Sequence, residues 1–226
     1  MSEHIVKSYD EELAALQQGI LSMGSMVAQM IAIAMKALIE SDGALARHVI
    51  QSDHEVNLKE LEIDKLAVNL LAMRQPVARD LRLILMATKV NTDLERIGDI
   101  AVNLSERVIE LLGEPQLKPY VDLPRMAEMA QAMLGDALEA FVEGDVEKAR
   151  LVMEQDDAID ALYAQIFREL LTHMLSDSAA VGRSIRLLFV AKYLERIADH
   201  VTNLAEMVTY FVDGEDIRHL HSQERR

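Results

Sequence analysis

The sequence has no cysteine and no tryptophan, only five tyrosines and four phenylalanines, and far fewer cationic than anionic side chains. Without cysteine, disulfides and thiolate metal sites are excluded. With aromatics so scarce, the hydrophobic half of the chain must build its core from Leu, Ile, Val, Ala and Met, a set suited to packed helices rather than sheets. The 23 Lys and Arg against 38 Asp and Glu leave a formal charge of −15. That balance opposes binding to nucleic acid or anionic lipid, both of which select clustered cations, and favours metal ions or a cationic partner surface. Catalytic signatures are missing too. There is no P-loop, no Gly-x-Gly-x-x-Gly and no Gly-x-Ser-x-Gly. Nor is there a Glu-x-x-His, so a carboxylate-bridged di-metal enzyme of the ferritin type, the alternative that also lives in helical bundles, is disfavoured. No enzymatic activity is expected.

No basic stretch followed by an apolar segment and a small-residue cleavage site opens the chain, so no signal peptide is readable and a cytoplasmic location is expected. The uncharged run Leu13 to Met35 is long enough to raise a transmembrane helix. Within it, however, Ile20, Met23, Val27, Met30, Ile31 and Ala34 recur at helical spacing, with Gln18, Ser22, Ser25 and Gln29 on the opposite face. The segment therefore reads as an amphipathic core helix.

Prolines are few and their positions are informative. Pro115, Pro119 and Pro124 fall together in the segment 113–125, which separates long helical patterns and is read as a linker. Pro76 starts a new periodic run, as proline does in a helix's first turn. Breaks at Ser41-Asp42-Gly43, Pro76, Glu143-Gly144-Asp145 and Ser176-Asp177-Ser178 predict helices over roughly 9–41, 43–74, 76–112, 123–143, 145–175 and 179–212. The tail 214–226 has little to bury and is expected to fray.

The two halves repeat. Leu94-Glu95-Arg96-Ile97-Gly98-Asp99 returns as Leu194-Glu195-Arg196-Ile197-Ala198-Asp199, and Asn103-Leu104 returns as Asn203-Leu204. Upstream, the region around Asp53 pairs in the same order with that around Asp156, as Glu40-Ser41-Asp42 does with Glu143-Gly144-Asp145. Matches in the same order across two helices indicate internal duplication. The predicted fold is all-α, with six helices forming two tandem three-helix bundles at 1–112 and 126–213.

Carboxylates four residues apart stack on one helix face, so Glu95 with Asp99, and Glu195 with Asp199, each present a pair. A tight turn at Gln75 sets the first pair level with Asp53 and Asn57. A turn at Asp177 sets the second level with Asp156 and Asp160. Each hairpin thus closes an oxygen-rich site, with no lysine foreseen in either, suited to Mg2+, Mn2+, Ca2+ or iron. Asp93, Asp157, Asn103 and Asn203 are secondary candidates. Glu60 and Asp64 are expected to face Met86 and Val90, to lack an acidic counterpart and to lie on the surface. His200, about 100° around the helix from Asp199, is assigned a structural role, and the methionines are assigned to the core. A purely structural bundle, its acidic faces serving only solubility, is the reading in which metals would have no effect.

The two Leu-Glu-Arg-Ile-(Gly/Ala)-Asp segments, with Gln75-Pro76-Val77-Ala78-Arg79-Asp80-Leu81-Arg82 ahead of the first, resemble the PhoU family of phosphate-uptake regulators, and the resemblance covers nearly the whole chain. It implies two similar three-helix bundles whose Glu/Asp-x-x-x-Asp motifs bind iron, zinc, manganese or magnesium. Those motifs fall on Glu95/Asp99, Glu195/Asp199 and Asp156/Asp160. Asp53 with Asn57 departs from the pattern by one charge, which makes the second site the stronger expectation. The resemblance further implies negative control of the phosphate-starvation response, as an adaptor between the transporter ATPase PstB and the sensor histidine kinase PhoR. Such a protein would reach the membrane only through its partners. Self-association into a homo-oligomer such as a homodimer stays open.

Overall fold

A computed structural model describes residues 2–213, with side chains from 8 to 212; the predicted tail 214–226 lies outside the described residues. Six long helices account for the fold: α1 (Ser2–Glu40), α2 (Gly43–Arg74), α3 (Ala78–Leu111), α4 (Asp122–Glu143), α5 (Val146–Ser176) and α6 (Val181–Asp213). Helices α1–α3 form one antiparallel bundle and α4–α6 the other, as the repeat requires.

The helix ends follow from the sequence. Asp42 caps α2 by accepting hydrogen bonds from the backbone N–H groups of Ala44 and Leu45 at 2.7 and 3.2 Å. At the equivalent place in the second half, Asp145 caps α5 by accepting from the Lys148 N–H at 3.0 Å. These short polar side chains satisfy amide groups that a helix start leaves without partners. Gly144 ends α4 at φ 68°, a left-handed conformation that glycine adopts without steric cost.

Two boundaries differ from expectation. Pro76 lies before α3 rather than in its first turn, because Gln75 and Ala78 take φ of 48° and 44° and interrupt the helical path on either side of it. Helix α4 starts at Asp122, so Pro124 belongs to its first turn, where a missing N–H costs nothing, and the non-helical linker ends at Val121. That linker is pinned to the second bundle. Arg183 Nη1 donates to the Pro115 carbonyl at 2.9 Å, Arg186 pairs with Glu114 at 3.0 Å, and Lys118 pairs with Glu169.

One hydrophobic core runs through both bundles, continuous across the packing of α3 on α6 and of α1 on α4. The six apolar positions read from the α1 pattern are all buried. Helix α1 is long and apolar enough to cross a membrane by length and composition, yet that stripe is spent on the core. At the α1–α4 crossing, Gly24 lets the helices approach so closely that a β-carbon there would lie 2.3 Å from Leu138 Cδ1. Leu94 and Leu194, at equivalent points of the repeated motif, are both fully buried. The duplication is therefore conserved in the core.

Candidate metal centres on the two hairpins

The α2–α3 hairpin has the register expected from its turn. A β-carbon on Gly98 would lie 3.4 Å from Val56 and 3.9 Å from Asp53 Oδ1, which sets Asp53 level with the Glu95/Asp99 pair. Asp53 Oδ2 accepts a hydrogen bond from Asn57 Nδ2 at 2.8 Å, while Oδ1 is buried with no hydrogen-bond partner. Burial raises the Asp53 carboxyl above its usual range; the Asn57 amide offsets part of this, and the Asp99 charge adds to it. Glu95 is raised for the same reasons, burial first and then Asp99, against a smaller opposing effect of Arg96. Arg96 is exposed and lies 3.4 Å from Glu95 and 3.3 Å from Asp99.

Glu60 and Asp64 are not the separate surface pair expected. Both are half-buried, and their counterpart on α3 is Asn91, fully buried, whose Nδ2 donates to the Glu60 carbonyl and to Asp64 Oδ1 at 3.0 Å each. Glu60 is raised by burial, then by Asp64, and it also feels Arg96 and Asp99. The physical reason is the lean of helical side chains. Each points toward the N-terminus of its own helix, so on antiparallel helices Glu60 and Glu95 lean toward each other across a turn that Cα register alone keeps between them. The first hairpin therefore carries one electrostatically coupled acidic face made by Asp53, Glu60, Asp64, Glu95 and Asp99.

The α5–α6 hairpin looks similar in the repeated motif and differs around it. Asp156 is 5 % exposed, Asp160 and Glu195 are half-buried, and Asp199 is exposed. Contrary to the expectation of a site without lysine, Lys192 lies one turn before Glu195 and donates to its Oε1. Its Nζ also sits 5.5 Å above the Tyr163 ring. Burial works against this ammonium, but the Glu195 hydrogen bond and the charges of Glu195 and Asp199 outweigh it and raise its pKa. Glu195 Oε2 is buried without a hydrogen-bond partner. Thr92 occupies the place of Lys192 in the first hairpin, and Tyr163 and Phe167 occupy the places of Glu60 and Asp64.

The secondary candidates separate. Asn103 Nδ2 donates to the Asp99 carbonyl along its own helix at 2.8 Å. Asp157 is exposed. Asp93 turns away from Glu95 to the seam between the bundles, where its Oδ1 meets His200 Nδ1 at 2.8 Å. Asn203 lines a cleft of about 390 Å3 on that seam with Lys89, Thr92 and Glu206. His200 thus has the structural role its position around the helix suggested, and that role is a contact between the bundles.

Among the described residues, no three His, Asp or Glu side chains already meet at one point. The first hairpin nevertheless fits a hard cation by its donor set: all-oxygen ligands, a buried carboxylate oxygen with no hydrogen bond, and carboxyls raised by burial and mutual repulsion. In the second hairpin, Lys192 already supplies part of that positive charge.

Comparison with known proteins agrees with the repeat. The PhoU domain family matches twice, at residues 20–108 and 123–208. A "phosphate-specific transport system accessory protein PhoU homolog" of Caulobacter vibrioides is 39% identical over 96% of this chain and 95% of its own length. The accessory protein PhoU of Escherichia coli K12 is 34% identical over 99% of this chain and 93% of its own. Among solved structures, PhoU from Pseudomonas aeruginosa superposes with a TM-score of 0.87 at 38% identity, covering 92% of this chain and all of that one. The phosphate transport system regulatory protein PhoU from Streptococcus pneumoniae gives 0.85 at 29% identity, over 92% and 98%.

Proposed function

The chain belongs to the PhoU family and takes part in regulating phosphate transport, and we propose that within this role it is a metal-binding adaptor rather than an enzyme. Its proposed partners are the cytoplasmic transporter ATPase PstB and the histidine kinase PhoR, which places it in the cytoplasm. Its proposed action is negative control of the phosphate-starvation response. The observation that carries the metal reading is the acidic face of the first hairpin, where Asp53, Glu60 and Glu95 are all raised by burial and mutual repulsion.

Ionised carboxylates crowded in this way destabilise the folded chain until a cation neutralises them, so a bound ion would couple to stability. Asp53, Glu60, Glu95 and Asp99 would hold it, and an oxygen-only donor set suits Mg2+, Mn2+ or iron better than zinc. Its chemistry would be charge neutralisation, with no reaction at the ion. Asn57 holds Asp53 in place, and Asn91 anchors the α2 backbone at Glu60, so the chain orients its own carboxylates. At the equivalent face of the second hairpin, Asp156, Asp160, Glu195 and Asp199 would form the weaker site, the reverse of the order expected from carboxylate count, because Lys192 on Glu195 must be displaced or tolerated.

The direct test is reconstitution. Purified chain, treated with chelator and then given Mn2+ or Mg2+, is titrated against purified transporter ATPase and against the kinase's cytoplasmic portion. Saturable binding to both, stronger with metal, supports the adaptor reading. Binding to neither contradicts it, and binding indifferent to metal removes the ion from the mechanism.

A further inference from the structure

Asp and Glu outnumber Lys and Arg 38 to 23 over the chain, yet the stretch from Leu81 to Thr92 in α3 contains no acidic residue. Within it, Arg82, Leu85, Lys89 and Thr92 follow one another at three- and four-residue spacing, so they share one face of the helix, and all four are exposed. This row borders α6. At one end the Arg82 guanidinium lies 5.8 Å from the centre of the Phe211 ring, and at the other Asp93 meets His200. Between those two contacts, Lys89 and Thr92 share the cleft of about 390 Å3 with Asn203, Glu206 and Met207 of α6. From Arg82 to Asp93 the groove runs about 17 Å, three helical turns.

The opposite end of the same seam shows what its cations do when carboxylates are within reach. Arg186 pairs with Glu114 at 3.0 Å and with Glu110 at 3.4 Å, and Arg183 donates to the Pro115 carbonyl at 2.9 Å. An acidic stretch of the chain itself therefore covers that end. Arg82 and Lys89 have no such cover, and among the described residues neither forms an ion pair.

We propose that the groove between α3 and α6 is a docking surface for an acidic amphipathic helix of a partner protein. The partner's carboxylates, seven residues apart as Arg82 and Lys89 are, would pair with those two cations. Its apolar side chains on the same face would rest on Leu85, 47% exposed, and enter the cleft against Met207. Glu206 stands on the α6 wall and Asp93 is held by His200, which leaves the α3 side to the partner's carboxylates. The net charge of −15 draws cationic partners to the surface at large, and this groove is the exception to it. A planar anionic membrane would also meet the acidic face of the first hairpin, whereas a single helix enters the groove alone. The surface depends neither on the metal nor on which protein supplies the helix, so it goes beyond the adaptor reading.

The test uses the full chain and a fluorescent 18-residue helical peptide carrying Glu seven residues apart on a Leu face, followed by anisotropy. A second peptide has the same composition with its Glu residues scattered around the helix. Proteins are wild type, Arg82→Gln/Lys89→Gln, and Lys36→Gln/Arg125→Gln, which removes the same charge at two exposed positions elsewhere; each is checked for an unchanged melting temperature. The expected result is binding of the patterned peptide that weakens at least about tenfold in the Arg82/Lys89 variant, holds in the Lys36/Arg125 variant and exceeds that of the scattered peptide. Equal binding to all three proteins, or none to wild type, overturns the proposal. So does binding gained only on Glu215→Gln/Asp216→Asn, which would assign the groove to the chain's own acidic tail. Phosphatidylglycerol vesicles that bind wild type and not the Arg82/Lys89 variant, where the peptide fails to bind, would overturn it in favour of a membrane.

Discussion

The two hairpins share a backbone register and a motif, and they answer the same electrostatic problem in opposite ways. In α2–α3 the carboxylates crowd one another: burial and mutual repulsion raise Asp53, Glu60 and Glu95, and the nearest cation, Arg96, is exposed. In α5–α6 a lysine enters the corresponding face, pairs with Glu195 and rests on Tyr163, and aromatics replace the outer carboxylates. A duplicated motif therefore reports common geometry, not common chemistry. The residues one turn away decide whether the face seeks a cation or already carries one.

The comparison can be broken first at the core, where the halves should not differ. Leu94→Ala and Leu194→Ala remove equivalent, fully buried side chains, and each should cost about 2–5 kcal/mol by thermal or denaturant unfolding. If one variant is near neutral, the bundles are not energetically equivalent and the contrast between faces loses its common baseline. At the faces, the signs should be opposite. Lys192→Met leaves Glu195 half-buried without its cation, and because the lysine is partly exposed the loss is about 1 kcal/mol, or roughly 2–4 °C in melting temperature. Glu95→Gln in metal-free protein should instead raise the melting temperature, by about 1–2 °C, because it removes a charge that burial and Asp99 disfavour. A fall on Glu95→Gln would show that the first face is not frustrated.

The smallest effect is on pH dependence. Carboxyls raised in the folded state bind protons there before they do in the unfolded chain. The stability they withhold is thus regained as pH falls through their folded pKa, and lost again as pH rises through it. Metal-free wild type should gain more stability on mild acidification, just above the ordinary carboxylate range, than Glu60→Gln/Glu95→Gln does. Equal gains, read by melting curves across pH, would remove the raised carboxyls from the account.

Much of this was legible in the sequence, for identifiable reasons. Helix ends followed from Asp42, Asp145 and the left-handed Gly144, and the burial of α1 followed from the spacing of Ile20, Met23 and Val27, because these are local rules. The hairpin register followed from turn position, which set Asp53 level with the Glu95/Asp99 pair, and the structure has Asp53 Oδ1 beside Gly98. Contacts one turn off register were not legible. Glu60 joins Glu95 through side-chain lean, and Lys192 reaches Glu195 along its own helix, neither of which Cα levels reveal. The signal for Lys192 was present as a cation three residues before Glu195, matched by Thr92 in the other half. Asp93 and His200 meet across a seam between bundles, and no periodicity within either bundle predicts that contact.

The most direct test is thermal melting of chelator-treated protein with and without Mn2+, in wild type, Glu60→Gln/Glu95→Gln and Glu195→Gln/Asp199→Asn. At about 100 times the dissociation constant a native-selective ion adds about 2.7 kcal/mol, enough to move the midpoint by roughly 5–10 °C. The account predicts that rise in wild type and in the Glu195/Asp199 variant, and its loss in the Glu60/Glu95 variant. A rise that survives in the Glu60/Glu95 variant and vanishes in the Glu195/Asp199 variant, or no rise in any of the three, would contradict it.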